Sequence, residues 1–171
     1  MTAGLTDALE SQGRMVFLTQ GGHSGEKMLQ RFDTLVAQGV DGVVIAGAID
    51  QGAELRDRAA QAGMPLVFAS RASYLDDVDL IRPDNMQAAQ IVTEHLIRRG
   101  HQRIAWLGGQ SSSLTRAERV GGYCATLIKY GLPFHSEWVV ECESSQKMAA
   151  EAIGALLRSS PTISAVICYN D

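Results

Sequence analysis

The run Gly21-Gly22-His23-Ser24-Gly25-Glu26-Lys27 is the first place where the residue types suggest chemistry, because glycines beside a lysine are the material of a phosphate cradle. Such a cradle needs the lysine directly after a glycine and a hydroxyl directly after the lysine, since the ammonium reaches the phosphates and the hydroxyl holds magnesium. Here Glu26 separates Gly25 from Lys27, and Met28 stands where the hydroxyl belongs. The run reads as a glycine-rich turn between a strand and a helix. No G-x-G-x-x-G follows a strand-like segment, so a dinucleotide fold is not indicated. His23-Ser24 lacks the G-x-S-x-G spacing of a nucleophile elbow and has no nameable base. The histidines His23, His95, His101 and His135 are scattered, and Cys124, Cys142 and Cys168 have no C-x-x-C spacing. That pattern fits reduced, buried thiols and a core histidine at position 95, with no metal, no cofactor and no enzymatic activity expected.

The elements that would carry any site alternate between short β-rich runs and amphipathic helical windows, the pattern of a parallel α/β sheet. Helices are predicted from Met1 to Glu10, from Ser24 to Gly39 (with Met28, Phe32, Leu35 and Val36 inward), and from Asp50 to Ala62. Asp84 is placed to cap another, with Ala88, Ile91, Val92, His95 and Leu96 as its buried stripe. Two more span Ser113–Tyr130, with Val120, Cys124, Leu127 and Ile128 inward, and Ser145–Arg158. Strands are predicted at Met15–Leu18, Val40–Ala48, Pro65–Ala69, Ile104–Leu107, Trp138–Glu141 and Ile163–Tyr169, with Val40–Ala48 buried and apolar on both faces as parallel strands are.

In such sheets ligands bind beyond the carboxyl ends of the strands. Those ends are Gln20 to His23, Ala46 to Ala48, Ser70-Arg71, Asp84-Asn85, Gln110 to Thr115, Glu143-Ser144 and Asn170-Asp171. The set is polar, mixes donors with carboxylates and has few aromatics. It suits a hydroxyl-rich or charged small molecule held by paired hydrogen bonds.

Composition narrows the partners. The 171 residues are 46% hydrophobic and 20% charged, enough to bury a core, with a net charge of −4. No clustered Lys/Arg stripe is present, so these residues are not expected to hold nucleic acid unaided. No apolar run is long enough to span a membrane.

Several blocks then carry a resemblance. Asp84-Asn85-Met86-Gln87-Ala88-Ala89, followed by His95-Leu96-Ile97-Arg98-Arg99-Gly100-His101-Gln102-Arg103-Ile104-Ala105, resembles a signature of the LacI/GalR family of bacterial transcriptional regulators. Arg116-Ala117-Glu118-Arg119-Val120-Gly121-Gly122-Tyr123 is similar to that family's helix start after the second-lobe strand. Gln38 to Val44 and Val166 to Asp171 resemble two further family elements, in the right order. The resemblance implies a periplasmic-binding-protein-like α/β core of two doubly wound parallel-sheet lobes with helices on both faces. It implies residues 1–100 as part of the first lobe and 101–171 as part of the second. The helix-turn-helix head, the hinge helix and the first core strand would lie outside these residues.

The same resemblance implies a cytoplasmic homodimer, without membrane contact, that binds operator DNA through its head. A sugar-like effector held between the lobes would change that affinity, as in a repressor of a sugar-utilisation operon. A periplasmic-type sugar-binding protein of a transport system is the alternative with the same fold. Residue by residue, Arg119 matches the arginine that grips the effector, Thr115 a polar position one turn earlier, and Asn170 a contact at the strand end. His23, Ser144 and Asp84 fall at further contact positions, and Ser144 stands where an aromatic often stacks on the ring.

Overall fold

The computed structural model describes residues 2–20, 24–47, 51–70 and 72–170. The chain forms two compact units, Met1–Ala69 with Leu75–Leu80, and Ser70–Tyr74 with Ile81–Asp171.

In the first unit, α1 (Thr2–Glu10) buries no residue, while α2 (Gly25–Ala37) turns Leu29 and Phe32 into the core. Ser24 caps α2 as predicted, its hydroxyl accepting from the Lys27 N–H. β1 (Val43–Ala46) pairs in parallel with β2 (Leu66–Ala69), and β3 (Asp79–Ile81) follows β2 in the sheet order. α3 (Gly52–Ala62) buries Leu55 and Ala59 and ends at Gly63, whose positive φ closes the helix. Leu29, Phe32, Val43, Leu55, Ala59 and Phe68 form the core. The Asp50 cap predicted for α3 lies outside the described residues; the capping position is Gln51, which makes no side-chain cap bond.

Two expectations fail in this unit. Met15–Leu18 forms no strand, and Arg14 to Gln20 carry no regular secondary structure. Met15, Phe17 and Leu18 are 80%, 62% and 76% exposed, and a groove of about 210 Å³ runs between this segment, α2 and β1. β-branched and aromatic composition favours a strand only where a neighbour supplies the ladder. β1 is likewise not buried on both faces, because Val44 is 41% exposed and β1 has β2 as its one sheet neighbour among the described residues.

The second unit is organised around β4 (Ile104–Leu107), all four residues of which are buried. β4 is flanked in parallel by β5 (Val139–Val140) and β6 (Ala165–Cys168). A 3₁₀ turn at Ser136–Trp138 takes the place of the start of the predicted Trp138–Glu141 strand. α4 (Asn85–Arg98) and α5 (Leu114–Lys129) pack closely on each other; α6 (Gln146–Ser159) contributes Leu156 to a small cluster with Ala105 and Ile163. At the helix crossing a Cβ on Gly122 would lie 2.3 Å from the Met86 carbonyl oxygen, so only glycine permits the approach. Trp106 and Tyr123 are fully buried with ring centroids 6.0 Å apart, and the Tyr123 hydroxyl donates to the Ile104 carbonyl at 2.7 Å. Burial pushes that phenol up to about 12.

Here the predicted inward faces hold only in part: Leu127 is buried and Leu96 and Val120 pack against the core, but the other positions are displaced by about one residue. On α4 the inward residues are Asn85, Ala89 and Thr93, whereas Ala88 and His95 are exposed and Ile91 and Val92 are 62% and 45% exposed. On α5 they are Thr115, Gly122, Tyr123, Thr126 and Leu127, while Ile128 is 67% exposed and Val120 and Cys124 are half-buried. The inward threonines are satisfied along their own helices: Thr93 donates to the Ala89 carbonyl and Thr126 to that of Gly122. They cost nothing to bury, so a stripe traced through apolar residues alone slips round the helix. The thiols are not all buried either, since Cys168 is exposed.

Candidate functional site

The carboxyl end of the second unit's sheet gathers most of the residues singled out by sequence. β4 runs into Gly108 and Gly109, both at positive φ (96° and 77°). A Cβ at Gly109 would sit 2.9 Å from Arg116 Cδ and 3.0 Å from the Tyr169 ring, so the missing side chain is what lets these groups close in. Ser113 caps α5 by accepting from the Arg116 N–H, which starts the helix so that positions 115, 116, 118 and 119 fall in its first two turns.

Arg119 is half-buried and held on three sides. Its Nε donates to Asn85 Oδ1 at 3.1 Å, and its Nη1 donates to the Tyr169 carbonyl. Its Cζ lies 5.1 Å from the Tyr169 ring centre, a cation–π contact. Glu118 does not pair with it. That carboxylate accepts from Arg82 Nη1 at 2.7 Å and from Asn85 Nδ2 at 2.8 Å. Asn85 stood beside Asp84 among the strand ends but was not among the expected effector contacts, because its complete burial leaves no trace in sequence.

The other predicted positions divide. Asn170 and Ser144 meet: Asn170 Nδ2 donates to Ser144 Oγ at 3.2 Å, both are exposed, and Asn170 follows Tyr169 directly in the chain. Thr115 is 3% exposed, and its hydroxyl accepts from the Ala72 N–H at 3.1 Å, which fastens the Ser70–Tyr74 segment to α5. Asp84 accepts from the Gln87 N–H at 2.9 Å as the cap of α4. His23 lies outside the described residues. Glu141 accepts from the Ser111 N–H at 2.9 Å, and that bond, helped by Arg116, holds its carboxyl below the usual range. Among the described residues no group of His, Cys, Asp and Glu is placed to hold a metal, and no helix is long and apolar enough to cross a membrane.

What this end of the sheet offers is a fixed guanidinium together with an amide and a hydroxyl that pair with each other, groups suited to hydrogen-bonding a polar molecule. The model of periplasmic binding proteins and sugar-binding domains of the LacI family matches residues 1–171. The chain belongs to this family. The LacI-family chain is 74% identical over its whole length to the maltose regulon regulatory protein MalI of Escherichia coli K12, of which it covers 50%. It is 26% identical over 160 residues, 94% of its length, to the HTH-type transcriptional repressor PurR of Actinobacillus pleuropneumoniae, covering 47% of that protein. The structure of a transcriptional regulator CelR–cellobiose complex superposes with a TM-score of 0.86 at 27% identity, over 98% of this chain and 51% of that one. The LacI-family chain therefore spans about half the length of the curated relatives it matches. Those relatives are transcriptional regulators, not enzymes.

Proposed function

We propose that these residues are the effector-sensing part of a cytoplasmic transcriptional regulator, a repressor of a sugar-utilisation operon. The effector is a sugar-like molecule, and Arg119 grips it with Asn170 and Ser144 beside it. Operator DNA is bound through a helix-turn-helix segment outside these residues, in a homodimer. The division into lobes at residues 1–100 and 101–171 belongs to the same proposal. The observation that carries it is the Arg119 guanidinium: anchored through Nε and Nη1, it has no hydrogen-bond partner on Nη2 among the described residues. Asp84 and Thr115 complete the proposed site, but their oxygens already serve the α4 cap and the Ala72 fastening, which supports a supporting role for both. His23 keeps its place in the proposal from sequence alone. The similarity to a maltose regulon regulator and a cellobiose-bound regulator supports the regulatory reading over the transport one.

The test is a thermal-shift screen of the full-length protein against cellobiose, maltose and glucose 6-phosphate, followed by calorimetry of Arg119→Ala. Charge-assisted hydrogen bonds contribute roughly 1.5–3 kcal/mol each, so losing one or two should weaken the effector by about 2–4 kcal/mol. Operator affinity without effector should stay unchanged. Equal effector affinity in the variant sinks the assignment of Arg119.

A further inference from the structure

We infer that Asn85 is a positioning residue for Arg119, and that the pair Glu118–Arg82 sets the direction of its amide. The inference rests on the reading of Arg119 as the effector clamp. Asn85 is fully buried, yet both ends of its amide are used by charged groups. Oδ1 accepts from Arg119 Nε, and Nδ2 donates to Glu118 Oε2, the oxygen that also accepts from Arg82 Nη1. A flipped amide would set its oxygen against the Glu118 carboxylate and its NH₂ against the guanidinium, and both contacts repel. The chain Arg82–Glu118–Asn85–Arg119 therefore has one stable polarity, with charges at its ends fixing the neutral group in the middle.

The consequence falls on what Arg119 can offer. A carboxylate or phosphate gripped side-on needs Nε–H and an Nη–H together. Asn85 occupies Nε and the Tyr169 carbonyl takes one Nη1 donor, so the side-on edge is closed, while the second Nη1 N–H and both Nη2 donors remain. These suit the hydroxyls of a neutral sugar, or an anion met end-on, and exclude an anion gripped side-on. Holding the guanidinium in place also removes much of the rotamer freedom an arginine would otherwise lose on binding.

The decisive measurement is made on the full-length protein without any ligand. In ¹⁵N-labelled wild type the Arg119 Nε–Hε signal, assigned by its loss in Arg119→Lys, should be shifted and slow to exchange with water. It should become fast-exchanging in Asn85→Ala. Asn85→Asp alone places two carboxylates face to face and should lose the protection too. Asn85→Asp combined with Glu118→Gln exchanges amide and carboxylate within the same chain of contacts, and should restore the slow signal. Cellobiose affinity by calorimetry should fall about tenfold in Asn85→Ala and return to within about threefold in the double variant. Unfolding curves show whether each variant folds, and a variant that fails to fold is replaced by Glu118→Gln alone, which should weaken protection without removing the Nε acceptor. Persistence of the slow signal in Asn85→Ala, or no recovery in the double variant, overturns the inference. A protected signal in a wild type that binds neither cellobiose nor maltose supports the positioning and counts against the carbohydrate reading alone.

Discussion

Two strands of this chain, β1 at the end of its sheet order and β4 at the centre of its own, are similar in sequence and opposite in surroundings. Val43-Val44-Ile45-Ala46 and Ile104-Ala105-Trp106-Leu107 are both uninterrupted apolar runs, yet β1 alternates between buried and exposed while β4 is buried throughout. β4 has β5 on one side and β6 on the other; β1 has β2, and across the groove the Arg14–Gln20 segment, which forms no strand. Burial of a parallel strand is thus a property of its neighbours, and apolar composition is only a precondition for it.

The largest way to test that contrast is truncation. Trp106→Ala removes a ring that is 1% exposed and should cost about 3–5 kcal/mol in urea unfolding. Phe17→Ala removes one that is 62% exposed and should change stability by less than about 0.5 kcal/mol. Comparable losses would mean that the Arg14–Gln20 segment is packed as tightly as β4. A second comparison lies on α5. Gly122→Ala drives a methyl into the Met86 carbonyl and should cost about 1–3 kcal/mol. Gly121→Ala meets nothing nearer than Met86 Cε at 3.6 Å and should be neutral, or stabilising by up to about 1 kcal/mol from helix propensity. Matching Tm values for the two would show that α4 and α5 are free to separate.

Capping gives a smaller contrast. α4 has the Asp84 cap bond and α3 has none at Gln51, so Asp84→Ala should lose about 1 kcal/mol. Gln51→Ser should gain roughly 0.5 kcal/mol, and a loss there would show that Gln51 holds α3 by another contact. The smallest effect is electrostatic. The Tyr130 hydroxyl donates to Glu94 at 2.6 Å, and this bond, with Arg98 and Lys129 nearby, holds the Glu94 carboxyl below its usual range. A lowered folded value means the contribution is present above the ordinary carboxylate range and fades as pH falls through the folded value. In a carbon-detected titration the Glu94 midpoint should move up in Tyr130→Phe; an unmoved midpoint would assign the shift to the cations.

The legible parts of the sequence were those decided locally. Ser24 and Asp84 cap their helices as read, because a cap needs only its own first turn. The α/β alternation was legible for the same reason. Met15–Leu18 failed because a strand needs a partner that local composition does not specify. The faces of α4 and α5 slipped because Asn85, Thr93, Thr115 and Thr126 are polar and buried, each satisfied by a bond that sequence does not announce. At the candidate site, Asn170, Ser144 and Asn85 stood among the strand ends and Arg119 came from the family resemblance, while the role of Asn85 needed coordinates, since its importance lies in what touches both ends of one amide.

Both tryptophans of the chain, Trp106 and Trp138, lie in the second unit. Trp106 is sealed beside Tyr123, and Trp138 stacks on His135 at 4.1 Å with its indole N–H on Ser160. Light absorbed near 295 nm is therefore absorbed in one half of the molecule. Emission reports the loosening of β4 and its surroundings and is blind to a melting of β1 and α2. A fluorescence curve that lags the loss of ellipticity on heating would be the optical record of two halves letting go in turn.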